Sequence, residues 1–154
     1  MKILIAIDGS PCSREVVAEV GRRPWPAGSV LRVVTVDPPL EPSFFKKTSP
    51  GVLDEIANQK RADSQQLLAE AVTSIQRNVG GVSVQSHLLV GWPKEAILDE
   101  AERWGADLIV VGSHGYGTFK RFFLGSISMT VAMNATCSVL IVRPTAEVAA
   151  AEGK

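Results

Sequence analysis

The sequence predicts a doubly wound α/β fold, a single open five-stranded parallel sheet with helices on both faces, on three observations. Five short apolar runs rich in β-branched residues alternate with four stretches of helical period. Prolines and glycines fall where helices in such an alternation start and stop. A chain of 154 residues that is 45% hydrophobic suits one domain with a real core. Strict strand–helix alternation with right-handed crossovers then yields a parallel sheet covered on both sides.

The first run, Ile3 to Ile7, is apolar throughout, as a central strand should be. Pro11 suits the first turn of the helix that follows, whose repeat is Cys12, Val16, Val17 and Val20, with Gly21 as its expected left-handed stop. The second strand is Val30 to Val36. The segment from Asp37 to Val52 holds four of the nine prolines, at 38, 39, 42 and 50. It reads as an excursion rather than a tight connection, with Phe44 and Phe45 expected to pack back on the second helix. That helix is marked by Leu67, Leu68, Ala71, Val72 and Ile75, with Gly80 as its stop. The third strand, Val82 to Val90, alternates Val82 and Val84 with Ser83 and Gln85, the pattern of an edge with one wet face, on which His87 is expected to be exposed. Pro93 opens the third helix, Ile97, Ala101 and Trp104 give its period, and Gly105 ends it. The fourth strand is Leu108 to Val111, the last helix carries Ile127, Val131 and Ala135, and the fifth strand is Ser138 to Val142. The domain is expected to span residues 1–145, with residues 146–154 a short Ala/Glu-rich tail.

Composition removes several functions. Sixteen basic against sixteen acidic residues leave no net charge, which argues against a nucleic-acid partner. No apolar run approaches the roughly 20 residues of a membrane span. The stretch Met1 to Asp8 reads as a strand rather than a signal peptide, so a cytoplasmic protein is expected. The two cysteines, Cys12 and Cys137, form no CxxC pair and have no histidine cluster at metal spacing, so both are read as packed thiols.

Chemistry concentrates between the fourth strand and the last helix. Four of the thirteen glycines fall from Gly112 to Ser126, and no Asp or Glu occurs from Leu108 to Ala146, where Lys120, Arg121 and Arg143 are found. A glycine-rich turn at the carboxyl end of a parallel strand lets backbone N–H groups approach phosphate oxygens, and the start of the next helix adds its dipole. Ser126 is expected to cap that helix and to touch phosphate. His114, inside the loop, is expected to face solvent. Gly112 to Thr118 reads G-x-x-x-x-G-T and lacks the Walker lysine, and no GxGxxG follows the first strand.

The spacing that is present, G-x2-G-x9-G-S through Gly112, Gly115, Gly125 and Ser126, resembles the nucleotide-binding signature of the universal stress protein family. The likeness extends from Lys2–Ser10 through Gly91-Trp92-Pro93 and Ala106–Gly115 to Val139–Pro144. It implies strand order 3-2-1-4-5, ATP across the switch point between the first and fourth strands, and dimers paired through the fifth. Residue by residue, it implies Gly112 at the ribose, and Gly115, Gly125, Ser126 and the Ile127 amide at the phosphates. Asp8 and Thr35 border the adenine, with Val36 and Val111 beside them. Thr35 stands where many relatives carry an apolar residue, so recognition there is expected to rest on backbone groups. Asp8 has two readings, a turn-forming residue or a ligand of base, ribose or a phosphate-bound Mg²⁺.

The motif supplies backbone donors and no evident base, so the expected role is an ATP-binding stress-response regulator with at most slow ATP hydrolysis. A slow ATPase or phosphotransfer enzyme and a nucleotide-free dimeric scaffold are the alternatives. Val139, Leu140, Ile141 and Val142, apolar and at a sheet edge, are the expected homodimer contact.

Overall fold

The computed structural model describes residues 1–39, 49–115 and 124–144. Five parallel strands, β1 (Lys2–Ala6), β2 (Val30–Asp37), β3 (Ser83–Val90), β4 (Leu108–Gly112) and β5 (Ser138–Val142), form one sheet in the order β3-β2-β1-β4-β5. Four helices alternate with them, α1 (Pro11–Arg22), α2 (Pro50–Gln76), α3 (Pro93–Trp104) and α4 (Ser126–Asn134). The fold class, the strand order and the edge position of β3 are those expected.

The period-two geometry of β1 divides the core. Ile3 and Ile5 pack with Val16 and Val20 of α1 and Leu68, Ala71 and Ile75 of α2, while Leu4 points the other way, to Ile97 and Ala101 of α3 and Val131 of α4. Each of these aliphatic side chains contributes about 1.5–3 kcal/mol on full burial. With both faces covered, β1 and β4 are apolar without alternation, whereas β3 keeps Ser83, Gln85, Ser86 and His87 exposed.

Helix boundaries carry the main corrections. Pro11, Pro50 and Pro93 each occupy a first-turn position, and Gly105 ends α3 in the left-handed region at φ 70°. Gly21, however, lies within α1, where the absent side chain lets Asn78 approach; a Cβ there would meet the Asn78 Cβ at 3.4 Å. Left-handed backbone after α2 falls on Gly81 rather than Gly80. Helix α2 is also far longer than its apolar repeat, because residues 51–63 carry no continuous buried stripe and keep most side chains in water. The Phe44 and Phe45 expectation and the 146–154 tail lie outside the described residues.

One charge sits inside the α3 face. Glu100 is only 1% exposed, accepts from Arg32 Nη1 of β2 at 2.6 Å and from Arg103 of its own helix, and has His87 Nδ1 of β3 at 3.3 Å. The Arg32 guanidinium lies 4.1 Å from the centre of the Trp104 ring. His87 is exposed as expected, but it is an ion-pair neighbour rather than an isolated surface residue.

Candidate functional site

At the carboxyl end of the sheet, where β1 and β4 lead their connections to opposite faces, a cleft of about 970 Å³ opens. Asp8, Thr35, Val36, Val111, Gly112, Gly115, Gly125, Ser126 and Ile127 all line it. The structure thus brings together residues from four separate segments of the sequence.

The floor is the turn from β1 into α1. Gly9 takes φ 81°, and Ser10 caps α1 by accepting from Ser13 N at 3.2 Å. Asp8 Oδ1 accepts from Ser10 N at 3.0 Å and from Ser13 Oγ at 2.5 Å, which is turn chemistry. Its other oxygen is directed at the glycine loop: an ideal Cβ on Gly115 would lie 2.5 Å from Asp8 Oδ2. Asp8 therefore serves the turn with one oxygen and borders the cleft with the other. A phosphate-bound Mg²⁺ would find this one carboxylate there and would draw its remaining ligands from phosphate and water. Among the described residues no group of three or more His, Cys, Asp or Glu is arranged to hold a metal by itself.

The side wall is β2. Its ladder alternates, since Ile7 N donates to Val34 O at 2.9 Å while Gly91 N donates to Asp37 O at 3.1 Å. Even-numbered residues of β2 therefore turn their backbone groups toward β1, and odd-numbered ones toward β3. Thr35 spends its backbone on β3 and offers its side chain, 5% exposed, to the cleft. The backbone groups aimed at the crevice are those of Val36, just beyond the end of β1.

The far wall is the glycine loop and the start of α4. Gly125, not Ser126, is the N-cap, and Ser126 is the first helical residue, with an exposed side chain. The first helical bond is Met129 N to Gly125 O at 2.9 Å, so the amides of Ser126, Ile127 and Ser128 precede any intrahelical acceptor. This turn is pinned to the end of β4, with Gly125 N donating to Ser113 O at 2.7 Å and Ser128 Oγ to the same carbonyl at 3.0 Å. Two glycines are demanded by that packing: a Cβ on Gly112 would meet Cys12 Cβ at 3.1 Å, and one on Gly125 would meet Ser113 O at 3.2 Å.

His114 does not face bulk solvent as expected; it is half-buried, lines the cleft, and has Nδ1 3.1 Å from Ser113 Oγ. Arg143 is exposed and is not among the cleft-lining residues, while Lys120 and Arg121 lie outside the described residues. The thiols are inert in placement: Cys12 is buried, and burial, with Asp107 nearby, pushes the Cys137 thiol up from its ordinary range.

Sequence reasoning missed the outer wall, which α2 builds from Lys60, Asp63, Ser64 and Leu67. Ser64 Oγ donates to Asp37 Oδ1 at 2.6 Å, and Lys60 Nζ donates to Pro38 O at 3.1 Å. Asp37, two residues past Thr35 on the same strand, was the one available signal. The cleft thus has amide donors at the start of α4, the Asp8 carboxylate beside Gly115, and the Asp37 and Asp63 carboxylates together with the Lys60 ammonium on the α2 side.

Comparison with known proteins identifies the family and agrees with the fold. The family model for the universal stress protein family matches residues 1–143. The universal stress protein Sll1388 of Synechocystis is 31% identical over 151 residues, covering 92% of this chain and 97% of that protein. Among solved structures, hypothetical protein MJ0577 superposes with a TM-score of 0.80 at 23% identity, over 94% of this chain and 96% of the other. A universal stress protein solved in complex with cAMP gives 0.64 at 26% identity, over 92% and 96%. The chain belongs to the universal stress protein family.

Proposed function

We propose that this member of the universal stress protein family is a regulatory protein that binds ATP in the cleft between β1 and β4, with the phosphates at the start of α4 and the base against β2. The observation that carries the reading is the convergence of the first-turn α4 amides, Gly115 and the Val36 backbone on one cavity of about 970 Å³, ample for a nucleotide. The cAMP complex of the 26% identical relative supports an adenine nucleotide as the ligand. Regulation follows if the nucleotide binds two conformations unequally and so shifts their populations. A cytoplasmic setting belongs to the same reading; among the described residues no helix is long and apolar enough to cross a membrane.

Equilibrium dialysis of purified protein against labelled ATP at millimolar Mg²⁺ tests it. Saturable uptake of one nucleotide per chain is the expected result, and none at millimolar ATP overturns the proposal.

Slow hydrolysis is the second reading, favoured by one observation: Asp8 Oδ2 lies beside Gly115, a residue this reading assigns to the phosphates, rather than only beside the base as the resemblance implied. Phosphate release after rapid mixing with Mg·ATP separates turnover from binding.

Assembly through β5 is part of the proposal. It is a sheet edge whose Val139, Leu140 and Ile141 are only half-buried, and Met129 and Met133 of the adjoining α4 are 44% and 78% exposed. Pairing with a second copy covers that edge. Val139→Lys is expected to shift the mass in light scattering from dimer to monomer; an unchanged dimer mass rejects this interface.

A further inference from the structure

Resting on the nucleotide reading above, we infer that Asp37 selects the base, accepting a hydrogen bond from the exocyclic amino group of adenine and disfavouring purines that carry a carbonyl in its place. The residue is fixed from two directions. Its backbone carbonyl is held by Gly91 N of the β3 exit at 3.1 Å, and its Oδ1 by Ser64 Oγ of α2 at 2.6 Å. The next turn of chain is held as well, through Lys60 Nζ on Pro38 O. Asp37 lines the cleft immediately after Thr35 and Val36.

An ionised carboxylate only accepts hydrogen bonds. Adenine presents an N6 amino donor where guanine and hypoxanthine present an O6 acceptor, so the same carboxylate attracts one base and repels the others. Asp63 shares the wall, but it is exposed and tied through Oδ1 to Gln59 of its own helix at 2.8 Å, so it lacks this double anchoring. The amides at the start of α4 set the orientation: phosphates held there leave the base to the β2 wall, where Asp37 lies.

The test compares ATP with inosine triphosphate, which carries a carbonyl in place of the amino group and a proton on N1, by calorimetric titration of the full chain. Wild type is expected to prefer ATP by about tenfold, the value of one charge-assisted hydrogen bond. Asp37→Asn, which can donate to O6, is expected to bring the ratio close to one. Ser64→Ala keeps the carboxylate, releases its anchor, and should reduce the preference only partly, providing a second reading if Asp37→Asn fails to fold. Asp37 is a selectivity group only if competition by inorganic tripolyphosphate is equal in all three proteins. An unchanged ATP to inosine triphosphate ratio in both variants overturns the inference while ATP binding stands. A wild type that binds neither nucleotide overturns the underlying reading and this one with it.

Discussion

Gly115→Val is expected to weaken ATP binding by about 100-fold or more while leaving the fold intact, the loss expected from two phosphate hydrogen bonds. The new Cβ falls 2.5 Å from Asp8 Oδ2, so either the carboxylate is displaced into the cleft or the loop retreats from it. Both outcomes spoil the phosphate end. The fold is spared because the obstructing atom is the tip of a side chain that is itself exposed, and no buried strand or helix backbone is touched. Dialysis with labelled ATP and a thermal melt on the same sample check the two halves of the expectation. Wild-type affinity in this variant refutes the placement of the phosphates.

Glu100→Ala should be the most destabilising of the substitutions considered, by about 3 kcal/mol, because it removes the acceptor of a buried ion pair and leaves Arg32 against Trp104 without a counter-charge. For a domain of this size that lowers the melting temperature by roughly 6–12 °C. Burial pushes the Glu100 carboxyl up, but hydrogen bonds from Arg103 and Arg32 and the nearby positive charges pull it further down, so it stays below its usual value of 4.5. A carboxyl lowered in the folded state adds stability above its unfolded value and loses it as pH falls through the folded one. Melts of wild type and Glu100→Ala should therefore keep their full separation above pH 4.5 and draw together as pH falls below it. A constant gap across that range contradicts the assignment.

Legibility in the sequence followed locality. Five strands announced themselves through contiguous apolar runs, and two helix starts through Pro11 and Pro93, because those signals act on neighbouring residues, whereas Pro50 read as part of an excursion. The glycine spacing likewise lies within one connection, so the cleft residues of β4 and α4 were readable together. Half of α2 was not, since residues 51–63 bury no stripe and the helix continues there from propensity and from contacts at Lys60 and Ser64. The Glu100 network was hidden for the opposite reason: Arg32, His87 and Glu100 come from three elements, and only the β2–β3 register and the crossing of α3 bring them together. Ser126 was misassigned as cap because Ser outranks Gly only slightly at that position, and the pinning of Gly125 to Ser113 decided the start of α4.

Gly112, Gly115 and Gly125 answer to different masters. Gly112 and Gly125 face protein atoms that a Cβ would approach at 3.1 and 3.2 Å, so a descendant of this chain that had abandoned nucleotides would still have a packing reason to keep both. Gly115 meets only the tip of the Asp8 side chain, at the cleft. Scanning a set of relatives for its replacement by a bulkier residue is thus the sharper way to spot those that have lost the ligand, and counting intact glycine signatures overstates how many retain it.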